Sequence, residues 1–255
     1  MRPAAPAPPQ GSSLHPGDRV IVALDVPDLA RAATLVRTLR PAIAWFKIGP
    51  QLFTAAGPEA VALVHDHRAQ VFLDLKFHDI PTTVAGAVES AARLGVAMLN
   101  VHIAGGEEML RAAVRACATP STGRWAQGWN RPLLIGVTLL TSETDTGDAV
   151  HQAAHAAHIA RTCGLDGVVS SPREAAAIKE ACGQPFIVVT PGIRLQASAD
   201  DQRRVATPAE AIRAGADFLV VGRPITRAPD PLAAALAMTT QLEDALPDLR
   251  TLPTN

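Results

Sequence analysis

The sequence predicts an α/β fold, a single (β/α)8 TIM barrel, and three observations carry that prediction. Eight short apolar runs alternate with helical stretches from Val20 onward. Most of the runs stay apolar until their last residues, which marks strands buried on both faces in a parallel sheet covered by helices. Eight such units in 255 residues match a closed barrel. No Gly-x-Gly-x-x-Gly follows the first run to favour an open, doubly wound sheet.

The elements follow in order. Val20 to Asp25 is the first strand, and Leu29, Ala32, Leu35, Val36 and Leu39 recur at helical spacing behind it. Ile43 to Lys47 is the second strand, with a helix from about Pro58 to Val64. Val71 to Lys76 is the third, and Pro81 is placed to start its helix, which Gly95 stops. Ala97 to His102 and Leu133 to Thr138 are the fourth and fifth strands, with helices at Glu107 to Cys117 and Asp148 to Cys163. Gly167 to Ser170 is the sixth, and Ser171-Pro-Arg-Glu174 reads as a capping box opening the next helix. Phe186 to Thr190 and Phe218 to Val221 complete the set. A second capping box, Thr207-Pro-Ala-Glu210, lies between them, and Asp230-Pro231 opens the last helix. The barrel is expected over residues 17–245, with a Pro- and Ala-rich tail at 1–16 and another tail at 246–255.

Composition excludes several functions. The chain is 48% hydrophobic and 18% charged, with a net charge of −1. Near-neutrality gives no electrostatic reason to expect nucleic acid or an anionic membrane as partner. No apolar run reaches the roughly 18 residues of a membrane span. Cys117, Cys163 and Cys182 lack the paired spacing of a metal or redox motif and read as reduced and buried, which implies a cytoplasmic setting. His151, His155 and His158 fall at i, i+4 and i+7, but a solvated helix face explains them, and no metal is expected.

In this fold the active site lies at the C-terminal ends of the strands. Those ends read Asp25, Lys47, Asp74 with Lys76, His102, Thr138, Ser170, Thr190 and Gly222-Arg223. Asp74 and Lys76, two apart in a strand, share a face, with Leu73 and Leu75 on the other. Aspartate and lysine are seldom buried unless paired, because a lone charge loses several kcal/mol or more on leaving water. Asp79, just beyond, suits a cap for the helix at Pro81. The loops after the seventh and eighth strands, Thr190-Pro-Gly-Ile-Arg194 and Gly222-Arg223-Pro-Ile-Thr226, stand where such barrels hold phosphate.

Asp74-Leu-Lys76-Phe-His-Asp79-Ile80-Pro81-Thr-Thr83 resembles the active-site signature of orotidine 5′-phosphate decarboxylases. The likeness runs from Val20 to Thr226. It includes Ala-Leu-Asp25, Trp-Phe-Lys47-Ile-Gly, Asn100-Val-His102, Leu-Leu-Thr141-Ser142, Asp201-Gln202-Arg-Arg and Val-Gly222-Arg223-Pro-Ile-Thr. The Asp-x-Lys-x-x-Asp core is shared with related phosphosugar decarboxylases and isomerases, whereas the full set in this order is specific. A catalytically silent nucleotide-binding barrel would show erosion among these charges, and all of them stand. The resemblance implies conversion of orotidine 5′-monophosphate to uridine 5′-monophosphate without metal or cofactor, by a homodimer that shares its active sites. It implies Lys76 as proton donor and Asp74 beside the departing carboxylate. Asp79, Ile80 and Thr83 would reach into the partner's site. Asp25 and Lys47 would hold the ribose, Thr141 or Ser142 the pyrimidine, and Gln202, Gly222, Arg223 and Arg194 the phosphate region.

Overall fold

The computed structural model describes residues 15–118, 131–138, 148–195 and 205–250. All eight expected strands form: β1 (Val20–Ala23), β2 (Trp45–Ile48), β3 (Gln70–Phe77), β4 (Met98–His102), β5 (Leu133–Val137), β6 (Gly167–Val169), β7 (Ile187–Thr190) and β8 (Phe218–Val221). Each runs parallel to the next, and β1 pairs with β8 to close the barrel. The helices are α1 (Pro16–Arg19), α2 (Leu29–Leu39), α3 (Pro50–Ala56), α4 (Pro58–Asp66), α5 (Pro81–Arg93) and α6 (Gly106–Cys117). They continue with α7 (Ala149–Cys163), α8 (Ala175–Cys182), α9 (Pro208–Arg213), α10 (Arg223–Thr226) and α11 (Pro231–Arg250).

Two apolar layers follow from the strand pleat. Ile21, Trp45, Phe72, Met98, Ile187 and Phe218 pack with one another inside the ring, and the Trp45 and Phe218 rings meet at 5.4 Å between centroids. Alternate strand residues, among them Val22, Phe46, Leu73, Leu99, Val168 and Val188, join the apolar faces of the helices outside it.

Local chemistry sets the helix starts. Proline leads α3, α4, α5 and α9, its fixed φ suiting the first turn. At α2 the Asp28 carboxylate accepts the Arg31 N–H at 2.8 Å. The capping box at Thr207 forms as expected, with the Glu210 and Thr207 side chains each accepting the other's backbone N–H. The one at Ser171 does not. Its helix starts only at Ala175: the Glu174 carboxylate accepts the Ser171 N–H, as a box requires, but also the Ser170 hydroxyl, and Glu174 itself is the N-cap. Helix α3 was not expected. Its only buried residue is Leu52, so it carries no apolar stripe to read.

The lower end of the barrel is held by one device used twice. Asp166, just before β6, accepts both Arg131 guanidinium nitrogens at 2.7 Å and the Leu134 N–H at 2.8 Å. Asp217, just before β8, accepts the Lys179 ammonium at 2.6 Å and the Val188 N–H at 2.7 Å. Each carboxylate thus ties a strand start to its neighbour while facing a cation. Above Arg131, burial pushes the Cys117 thiol up to about 12, so it stays protonated and unreactive. Cys163 and Cys182 are also buried and free. No helix among the described residues is long and apolar enough to cross a membrane.

Candidate active site

Four charged side chains form a chain across the open end of the barrel. The Lys47 ammonium lies 2.9 Å from Asp74 Oδ2 and 3.4 Å from Asp25 Oδ1. The Lys76 ammonium donates to Asp74 Oδ1 at 2.5 Å. The side chains of Lys47 and Asp74 are only 11% and 8% exposed, whereas that of Asp25 is 60% exposed at the rim. Charge this well enclosed persists only because each group faces its opposite. Gly49 keeps the pair at Asp25 close to the backbone, since a Cβ there would stand 3.2 Å from both Asp25 Oδ1 and Lys47 Nζ.

The ionisation of the chain follows. Burial works to raise the Asp74 carboxyl, but Lys47 and Lys76 outweigh it, helped by hydrogen bonds from Lys76 and Asn100, and the group lies below its ordinary value. Burial works to lower the Lys47 ammonium, and Asp74 with Asp25 more than reverses it. Both groups are charged at neutral pH.

Asp74 and Lys76 meet as expected, and Leu73 and Leu75 pack outward, yet the pleat is not continuous. Lys76 has φ +50°, in the left-handed region, and the pairing of β3 with β4 slips between Leu73↔Leu99 and Phe77↔Val101. Asp74, Leu75 and Lys76 therefore stand opposite Asn100 alone. Asn100 is fully buried, donates from Nδ2 to Asp74 Oδ1 at 2.7 Å, and accepts the Lys76 N–H at 2.8 Å. Sequence reasoning gave this residue no role. The signal was present: an amide in the middle of an apolar strand, Met-Leu-Asn-Val-His.

The ring is polarised. The four linked charges come from β2, β3 and the end of β1, while Val169, Val189 and Val220 pack with the interior cluster on the side of β6 to β8. Thr138, Ser170 and Thr190 were expected to line the mouth. By the pleat they share the outward face of Val168 and Val188 instead. Thr138 Oγ1 donates to the Val169 carbonyl at 3.0 Å, and Ser170 donates to Glu174. Thr190 Oγ1 is buried without a partner among the described residues.

The remaining expected site residues divide by position. Asp79 does not cap α5: its Oδ1 accepts the adjacent Ile80 N–H at 2.6 Å, and the N-cap residue is Ile80. Asp79, Ile80 and Thr83 are all exposed, Ile80 at 63%. Gly222 follows β8 beside the network, where an added Cβ would stand 3.9 Å from Asp25 Oδ2, and Arg223 begins the short α10 with its side chain exposed. Arg194 is half-buried, its N–H donating to the Ala206 carbonyl. His102 is half-buried at the end of β4, its ring 5.2 Å from that of His78. His151, His155 and His158 lie exposed on α7. Thr141, Ser142, Asp201 and Gln202, with the tryptophan-bearing stretch Thr119 to Arg131 up to residue 130, lie outside the described residues.

A closed parallel barrel with a desolvated carboxylate between two ammonium groups at its C-terminal mouth defines a (β/α)8-barrel enzyme built to handle charge on a small substrate. The chain belongs to the orotidine 5′-phosphate decarboxylase / HUMPS family, whose model matches residues 18–238. An orotidine 5′-phosphate decarboxylase of Moorella thermoacetica is 53% identical over 242 residues, which cover 90% of this chain and 94% of that protein. One from Laribacter hongkongensis is 49% identical over 250 residues, covering 95% and 99%. The crystal structure of orotidine 5′-phosphate decarboxylase from Lactobacillus acidophilus superposes with a TM-score of 0.75 at 34% identity, covering 88% of this chain and 98% of that one.

Proposed function

We infer that the chain decarboxylates orotidine 5′-monophosphate to uridine 5′-monophosphate and CO2, the last step of de novo pyrimidine synthesis. The observation that carries this reading is the Lys47–Asp74–Lys76 array at the barrel mouth. In the reaction the bond from the base carbon to the carboxylate breaks, and its electron pair stays on that carbon. No adjacent carbonyl takes up the charge, so the protein must. The Lys76 ammonium, fixed against the buried Asp74, is aimed at the developing carbanion, stabilises it more than mobile water does and then gives it a proton. Each ~1.4 kcal/mol of that preference is worth a factor of ten in rate.

Asp74 holds the Lys76 ammonium in place, and it stands beside the departing carboxylate. Release of CO2, which is uncharged, relieves any crowding of two anions there. Asp25 and Lys47 are assigned to the ribose hydroxyls. The exposed Asp25 rim beside Gly222 supports a substrate that runs from the charged wall toward Arg223. Gly222, Arg223 and Arg194, with Gln202, are assigned to the phosphate, and Thr141 or Ser142 to the pyrimidine. Binding of the distant phosphate supplies energy for placing the base against the charged wall. A homodimer that shares its sites through Asp79, Ile80 and Thr83 accounts for an isoleucine left in solvent at the rim. Buried thiols suit a cytoplasmic setting.

The test is to follow the absorbance of orotidine 5′-monophosphate with purified protein in excess chelator. Turnover is expected, and folded protein without turnover would sink the reading.

A further inference from the structure

We propose that Asn100 is a positioning residue for Lys76: its carboxamide replaces the main-chain acceptor lost at the β3 bulge and holds the Lys76 backbone left-handed, so aiming the ammonium. This rests on the decarboxylase reading above and adds a residue to it.

The geometry is specific. Three residues of β3 stand opposite Asn100, so the regular ladder cannot satisfy the Lys76 N–H, and the Asn100 side-chain oxygen does so at 2.8 Å. The other end of the same amide donates to Asp74 Oδ1 at 2.7 Å. Its orientation admits one assignment, because a carboxylate can only accept and a backbone N–H can only donate. One buried group thus grips both the backbone of Lys76 and the carboxylate that receives its ammonium. A left-handed backbone is unfavourable for a lysine and persists only where its surroundings impose it. Without the amide, Lys76 gains by returning to the extended region, and that rotation carries the side chain away from its present direction. Asn100 bonds to Lys76 and to Asp74 and meets Lys47 only through Asp74, whose Oδ1 takes the amide while Oδ2 faces Lys47, so ribose and phosphate contacts feel its loss indirectly.

The experiment compares Asn100→Ala and Asn100→Asp with the parent enzyme. In Asn100→Ala, kcat should fall roughly ten- to a hundredfold, the scale of a small misplacement, with KM within about threefold. A crystal structure of that variant should show Lys76 outside the left-handed region. Asn100→Asp is isosteric. Protonated, the new carboxyl can donate to Asp74 and accept from Lys76, whereas ionised it can only accept. Its kcat should therefore recover as pH is lowered, relative to the parent, while that of Asn100→Ala does not. A role confined to folding predicts no such recovery.

The proposal is overturned if Asn100→Ala keeps its kcat, if the whole loss lies in KM, or if Lys76 stays near φ +50°. It is also overturned if the two variants share one pH profile. Should Asn100→Ala fail to fold, the profile of Asn100→Asp decides alone. Failure of the functional reading looks different: the parent itself would not turn over substrate, while the Lys76 backbone would still report on the clamp.

Discussion

Removing the Lys76 side chain takes away the proposed proton donor but leaves Asp25, Lys47 and the loops proposed to hold the phosphate in place. Lys76→Ala should lose at least about a thousandfold in decarboxylation while titration with uridine 5′-monophosphate still shows binding; a rate within tenfold of the parent would remove the lysine from its role. Asp74 makes a second prediction, in pH. Its folded-state pKa is depressed, so its contribution to stability is fully present above the unfolded value and is lost as pH falls through the folded one. Denaturant midpoints should drop on acidification below about pH 4, and less steeply in Asp74→Asn. Equal slopes in the two proteins would mean that Asp74 is not the group responsible. These two residues were legible because charge inside an apolar run demands a partner. Asn100 was not: a neutral amide raises no such demand, and its partners come into reach only through a bulge in β3, some two dozen residues earlier in the chain.

At the scale of elements, strands and helices are placed by close backbone contacts as much as by apolar stripes. Gly167 opens β6 so near β7 that an added Cβ would stand 2.2 Å from the Ile187 carbonyl oxygen. Backbone cannot swing aside as a side chain can. Gly167→Ala should cost ~1–3 kcal/mol or more, seen as a lowered thermal midpoint, and an unchanged midpoint would mean that the strands separate freely. The eightfold rhythm was legible because buried strands and Pro-led helices repeat it. The two capping signatures show where local reading stops. Thr207-Pro-Ala-Glu210 follows Ala206, which has no hydroxyl, and the box closes. Ser171-Pro-Arg-Glu174 follows Ser170, whose hydroxyl takes the same carboxylate, and the helix begins late. Likewise Thr138, Ser170 and Thr190 are polar at the correct end of their strands but lie on the outward face, a difference of one step in the pleat.

For the whole molecule, the proposed shared-site dimer has a test that single proteins cannot give. A hybrid of Asp79→Ala and Lys76→Ala subunits holds one site with both lesions and one with neither. Mixing the two inactive proteins under conditions of subunit exchange should restore about a quarter of parental activity, since half the dimers are hybrids and each has one intact site. Exchange without recovery would assign Asp79 to its own barrel. The polarised ring has a consequence for synthesis. Every member of the charged wall, from Asp25 to Asn100, leaves the ribosome long before β8, whose pairing with β1 closes the barrel. Until Phe218–Val221 pairs with β1 the ring is open, and enclosure of Lys47 and Asp74 is expected to be complete only when it closes. The enclosed charge proposed to carry the chemistry is therefore completed last, from parts that were made first.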